Sequence, residues 1–219
     1  EPREDEIQMK IGEAFRAAKS AFVASLNGRY QEDLSYKIKG EVFLTLRDAV
    51  TGVVQDHRYN IVTLDASILI ARLMKDSQEP PHGCFALAVG TGDTGWNPMA
   101  PPAPTNTQRS LYAELTRKVF ANTQFIDGGG APTATPTNVV DFETTYTESE
   151  AVGPLVEMGI LGGNVNSNMA ITNPVLPPNG PYNPSVDLTT FDTLVNYLTF
   201  PVVNKPATST LTIVWRLTF

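Results

Sequence analysis

The chain closes on STLTIVWRLTF (209–219), and this segment restricts the fold more than any other. Leu211, Ile213, Trp215, Leu217 and Phe219 alternate with Thr210, Thr212, Val214, Arg216 and Thr218. A period of two places the first set on one face of an extended strand and the second on the other. An apolar strand face needs a second layer to cover it. The same alternation recurs in YKIKGEVFLTLR (36–47), where Ile38, Val42, Leu44 and Leu46 oppose Lys37, Lys39, Thr45 and Arg47, and again in NVVDFETTYT (138–147). Turn residues separate these runs, and helical crossovers do not recur between them. The pattern predicts a mainly β chain: an antiparallel sandwich or barrel-like domain with an N-terminal amphipathic helix and one or two short internal helices.

The remaining elements follow from local signals. DAVTG (48–52) is a tight turn, and VVQDHRYNIV (53–62) is the return strand of a hairpin. LDASILIARLMKD (64–76) reads as a helix capped by Asp65, with Ile68, Leu69, Ala71, Leu73 and Met74 as its apolar stripe. Cys84–Val89 is a short apolar strand. Residues 108–120 read as a short helix or an irregular segment. GPLVEMGILG (153–162) reads as the hairpin partner of 138–147, and 194–200 with 209–219 as the closing strands. Near the N-terminus Ile7, Ile11, Phe15, Ala18 and Phe22 recur at helical spacing, and Asn27-Gly28 ends the run. That helix packs on its own domain or docks on a neighbouring subunit. The expected organisation is a helical segment over 1–28 and one sandwich domain over 29–219, with long loops at 93–107 and 162–190.

One stretch argues for a different protein class. FALAVGTGDTG (85–95) matches G-x-G-x-x-G through Gly90, Gly92 and Gly95. A dinucleotide site would follow it with a helix whose N-terminal amides hold the pyrophosphate. Here Pro98, Pro101, Pro102 and Pro104 follow within ten residues of the last glycine. They remove amide donors and forbid that helix. The acidic residue expected about 20 positions on would be Glu114, in RSLYAELTRKVF, which does not read as a second strand. No nucleotide cofactor is expected, and Gly90 and Gly92 are assigned to a structural turn.

Other chemistry is equally sparse. The only histidines are His57, beside Asp56 and Arg58 on a strand, and His82, two residues before the single cysteine, Cys84. Catalytic Cys–His pairs are normally assembled from distant segments, and Cys84 reads as core. Asp141 and Glu143 share one strand face about 7 Å apart, compatible with a glycosidase pair but more typical of a solvated strand. Glu148 and Glu150 are a second acidic pair. Asn164, Asn166 and Asn168 alternate in a polar loop without nearby carboxylates, a poor calcium site. No catalytic, cofactor or metal residue is assigned, and the chain is not expected to be an enzyme.

Composition limits the partners. The net charge of −7 with scattered lysines and arginines disfavours nucleic acid. No apolar run approaches the length of a membrane span, and the acidic opening EPREDE is unlike a secretory signal. Charged residues make up only 18% of the chain, below the usual quarter, so much of the surface is expected to be covered by partners.

Five segments in order resemble a family of small bacteriophage tail and tail-appendage structural proteins. They are the strand ending in LRDAVTGVV, then YNIVTLDASILIARLMKD, then FALAVGTG with its proline- and threonine-rich loop. VVDFETTYTESEAVGPLVEMGILGG and LTFPVVNKPATSTLTIVWRLTF complete the series. The resemblance implies a multi-copy subunit of a tail, baseplate or neck, made in a bacterial cytoplasm and located in the virion. Its partners would be copies of itself and other virion proteins. Ile7, Ile11, Phe15, Phe22 and Trp96 are the candidate interface residues. The alternative is a receptor- or carbohydrate-binding sandwich of a fibre, with Trp96, Tyr182 and Tyr197 as stacking residues.

Overall fold

A computed structural model of the chain describes residues 38–48, 52–75, 82–163 and 192–219. The expected N-terminal helix, with Ile7, Ile11, Phe15 and Phe22, lies outside them, as do residues 164–190. The described elements are eleven strands and one helix. In chain order they are β1 (Lys39–Asp48), β2 (Gly52–Tyr59), β3 (Ile61–Val62), α1 (Leu64–Lys75), β4 (His82–Gly90) and β5 (Glu114–Val119). β6 (Asn122–Ile126), β7 (Pro132–Thr133), β8 (Val139–Tyr146), β9 (Gly153–Gly163), β10 (Asp192–Lys205) and β11 (Ser209–Thr218) follow. They form two antiparallel sheets, ordered β2-β1-β11-β8-β6-β7 and β3-β10-β9-β4-β5.

The alternating segments form the first sheet, as their pattern requires. β1 and β11 pair without a break from Lys39↔Thr218 to Asp48↔Ser209, and β8 lies on the other side of β11. Val42 and Leu44 of β1, Phe142 and Tyr146 of β8, and Leu211, Ile213, Trp215 and Leu217 of β11 turn to the second sheet. They meet Leu87 and Val89, Leu155, Met158 and Ile160, and Val195, Leu198 and Phe200 in one core, to which α1 adds Ala66 and Leu69. Trp215 is fully buried at its centre. With the Asn196 amide assigned the orientation that satisfies both its ends, its side-chain oxygen accepts from the Trp215 indole N–H at 3.3 Å. Phe219 departs from the expected inward set. It lies beyond the last β1–β11 pair and is exposed.

Between Val119 and Asn122 the chain crosses from the second sheet to the first. The Phe120 amide still donates to Phe85 of β4, whereas the Ala121 amide donates to Glu143 of β8. This crossing corrects the reading of 108–120, which is neither helical nor irregular over 114–119 but the edge strand β5. The return strand 53–62 also divides, with β2 in the first sheet and β3 in the second. The break falls at Asn60, whose side chain lies where a β-carbon on Gly40 would stand, 1.9 Å from Oδ1. β8 and β9 are not a hairpin. β9 pairs with β4 and β10, so the 147–152 turn carries the chain between sheets. Alternation identifies a strand's buried face but not its neighbour.

Candidate functional site

The Gly-Thr-Gly turn ends β4, and an internal anion accepts from its last amide while the Thr91 amide donates to the Ala113 carbonyl. Glu157 of β9 is fully buried. Its Oε1 accepts from the Gly92 amide at 3.1 Å and the Ala113 amide at 2.8 Å, and its Oε2 from the Tyr112 amide at 3.0 Å and the Tyr197 hydroxyl at 2.7 Å. Four donors around one carboxylate account for its burial without a paired cation. Burial, and then the carboxylate itself, push the Tyr197 phenol far above its ordinary value, so it stays a donor. The glycines are needed for close approach. A β-carbon on Gly90 would lie 2.5 Å from the Ala113 carbonyl and 2.6 Å from Glu157 Oε1. Gly92 has φ +68° and would place one 2.6 Å from the Trp96 ring. The G-x-G-x-x-G match is therefore a clamp that pins the 91–113 loop onto β9.

A second buried polar group lies on the same sheet. Arg117 of β5 is fully buried and ion-paired with Glu114, through Nη2 at 2.6 Å and through Nε, and with Asp192 of β10. Burial lowers the Arg117 affinity for its proton, but the two carboxylates more than offset this. Burial likewise pushes the Glu114 carboxyl up against the pull of Arg117. Arg109 reaches Asp65 at the start of α1 at 3.2 Å. The Arg109–Asp65 pair ties the 105–113 segment to α1, and Leu111 of that segment packs with Ala86, Ala88, Leu161 and Leu194.

Several of the candidate chemical residues are held by internal partners. Asp141 is held by Arg216 through bonds of 2.7 and 2.8 Å, so the Asp141–Glu143 pair offers one committed carboxylate. Glu150 is bound by Lys118 at 2.6 Å and the Thr147 amide at 2.9 Å. Burial pushes the Cys84 thiol up to about 12. Tyr197 is buried with its hydroxyl committed to Glu157, which removes it as a stacking residue for sugar. Trp96 is half-buried, edge-on to Tyr112 with centroids 4.7 Å apart. Tyr182 lies outside the described residues, as do the three alternating asparagines. Among the described residues no group of three or more His, Cys, Asp or Glu is placed to hold a metal ion. In the same residues no helix is long and apolar enough to cross a membrane.

The most exposed feature is a sheet edge that the sequence reading did not single out. β2 is the outer strand of the six-stranded sheet, and Val53, Val54 and Tyr59 are 54%, 57% and 74% exposed. His57 lies flat on Phe43, with centroids 4.5 Å apart and planes within 3°, and its Nε2 is 3.1 Å from Glu41. Arg58 bonds Asp56 within the strand at 2.7 Å through Nε. The signal available in the sequence was VV followed by alternating charge in VVQDHRY. For Glu157 it was a lone charge in the otherwise uncharged run GPLVEMGILGG. The chain matches no model of a known protein family and shows no significant similarity to a curated protein.

Proposed function

We propose that this chain is a structural subunit of a bacteriophage or phage-like particle. It is a multi-copy component of a tail, baseplate or neck that acts through protein–protein contacts with copies of itself and other virion proteins. The observation that carries the reading is β2, an eight-residue sheet edge that exposes two valines and a tyrosine. Exposed edges accept partner strands. The ordered series of segments from LRDAVTGVV to VWRLTF supports the particle assignment. The buried charges support it too, because they are spent on fixing loops against the sheets, as a rigid contact surface requires. Its N-terminal segment 1–28 and the loops 93–107 and 162–190 supply further contacts. A receptor- or carbohydrate-binding role at a fibre keeps Trp96 with its neighbour Tyr112 but loses Tyr197.

The test is the protein content of particles. Particles released from the strain that encodes the chain, purified on a density gradient, should contain it in fixed proportion to the other structural proteins by quantitative mass spectrometry. A chain absent from intact particles, or present at varying ratio, would overturn the assignment. Deleting residues 1–28 should leave a β-type circular dichroism spectrum and abolish incorporation.

A further inference from the structure

We infer that β2 pairs antiparallel with β2 of a second copy of this chain, about a two-fold axis through His57, in the register that sets Asp56 of each copy opposite Arg58 of the other. The inference rests on the reading of β2 as a contact surface and adds its occupant and register.

The backbone fixes which groups are free. The Asn60 amide donates to the Gly40 carbonyl. The β1–β2 register then runs without a shift from Glu41↔Tyr59 to Asp48↔Gly52. Hydrogen-bonded pairs in an antiparallel ladder recur every second residue. The bonds to β1 therefore fall at Arg58, Asp56 and Val54, and the amides and carbonyls of Val53, Gln55, His57 and Tyr59 turn away from it. Four donors and four acceptors line a row about 20–25 Å long. β2 carries no proline, lysine or bulge; of the usual protections of an edge it has only the charges Asp56 and Arg58, which lie opposite Leu44 and Val42.

Parity and charge then select the partner. A second β2 must oppose odd residues with odd residues for its free groups to bond, which leaves registers centred on residue 55, 56 or 57. Centring on Asp56 sets two carboxylates face to face, which is destabilising. Centring on Gln55 sets each Asp56 against Val54. Centring on His57 sets Asp56 against Arg58 twice, on non-hydrogen-bonded pairs, where opposed side chains come closest. Both residues are partly exposed, and the internal Asp56–Arg58 bond of each copy becomes half of an alternating quartet of charges. Gln55 then opposes Tyr59, and each His57 keeps its own Glu41 at 3.1 Å. Residues 55–59 are thus complementary to themselves, with Val53 and Val54 beyond the overlap, and the six-stranded sheet continues into that of the second copy.

The test uses the full chain and light scattering after size exclusion across a concentration series. A dimer is expected. Asp56→Arg alone should weaken dimerisation at least about tenfold, because like charges then oppose each other twice. The double exchange Asp56→Arg/Arg58→Asp should restore it. Gln55→Pro removes one outward amide without touching the bonds to β1, and should give a monomer with unchanged circular dichroism. Single cysteines at positions 55, 56 and 57 in a Cys84→Ala background read the register directly, with fastest cross-linking expected at 57. Fastest cross-linking at 55 or 56, or failure of the double exchange to restore the dimer, overturns the register. A monomer at every concentration overturns the self-pairing. In that last case, fixed stoichiometry in particles with a cross-link from β2 to another virion protein would leave the contact reading standing.

Discussion

Replacing Glu157 by glutamine should cost about 3 kcal/mol of folding stability, a figure that follows from counting its four donors. The amide orientation that loses least keeps the oxygen at the Oε1 position, where it still accepts from Gly92 and Ala113. The NH2 group then stands where Oε2 met the Tyr112 amide and the Tyr197 hydroxyl. The hydroxyl can rotate and accept from it. The Tyr112 amide cannot, and an orphaned buried donor costs about 1–3 kcal/mol. The bonds that remain lose the negative charge of their acceptor, and charge-assisted bonds are roughly twice as strong as neutral ones. Urea unfolding followed by tryptophan fluorescence measures the total. Tyr197→Phe in the same assay should cost less, because it removes one donor and leaves the three amides in place. The double variant should cost less than the sum, since both changes disrupt one network. Loss of the clamp should also loosen the 91–113 loop, seen as faster proteolysis between Trp96 and Leu111. A Glu157→Gln change below about 0.5 kcal/mol, the range of an ordinary surface substitution, would refute the clamp.

Trp215→Ala should destabilise by about 3–5 kcal/mol, since it empties the centre of the core and leaves Asn196 without the indole donor; a denaturation shift below about 1 kcal/mol would contradict that burial. Gly92→Ala should lose at least about 1–2 kcal/mol from the left-handed backbone alone, with the contact to Trp96 in addition, measurable as a lowered melting temperature. Arg117→Met leaves Glu114 and Asp192 buried without their cation, and should cost about 3–5 kcal/mol in the same unfolding assay. Glu150 supplies a pH dependence. Burial raises its carboxyl, but Lys118 and the Thr147 amide outweigh that and hold it below the ordinary value. A depressed carboxylate stabilises the fold fully above its unfolded value, near pH 4.3, and loses that contribution as pH falls through the folded value. The stability advantage over Glu150→Gln should therefore be present at pH 6 and shrink below about pH 4.

The strands legible in the sequence were those whose two faces meet different solvents. β1, β8 and β11 have the core on one side and water or polar neighbours on the other, so alternation gave their position and their buried face. The helix over 64–75 was legible as a helix, but Asp65 lies in its first turn bound to Arg109 rather than capping it, and the buried face runs through Ala66, Leu69 and Arg72 while Ala71 and Leu73 of the expected stripe are exposed. The turn at Gly90 and Gly92 was legible by the prolines that exclude a nucleotide loop. β5 was not legible, because ELTRKV carries charge on both faces. It is a strand because Arg117 meets Asp192, 75 positions away, and Lys118 meets Glu150, 32 positions away.

Local sequence therefore determined that β1, β8 and β11 are extended and which side of each is apolar, since both depend on the spacing of side chains along one stretch of chain. Tertiary structure alone decided that 53–62 divides between two sheets and that β8 and β9 lie in different ones. It also decided that the Gly92 amide and those of Tyr112 and Ala113 close on Glu157, and that β2 is left as an edge. Each of these depends on which distant segment supplies the partner for a backbone or a buried charge. No local spacing carries that information, because an unpaired amide or carboxylate looks the same in sequence whether its partner is four residues away or a hundred.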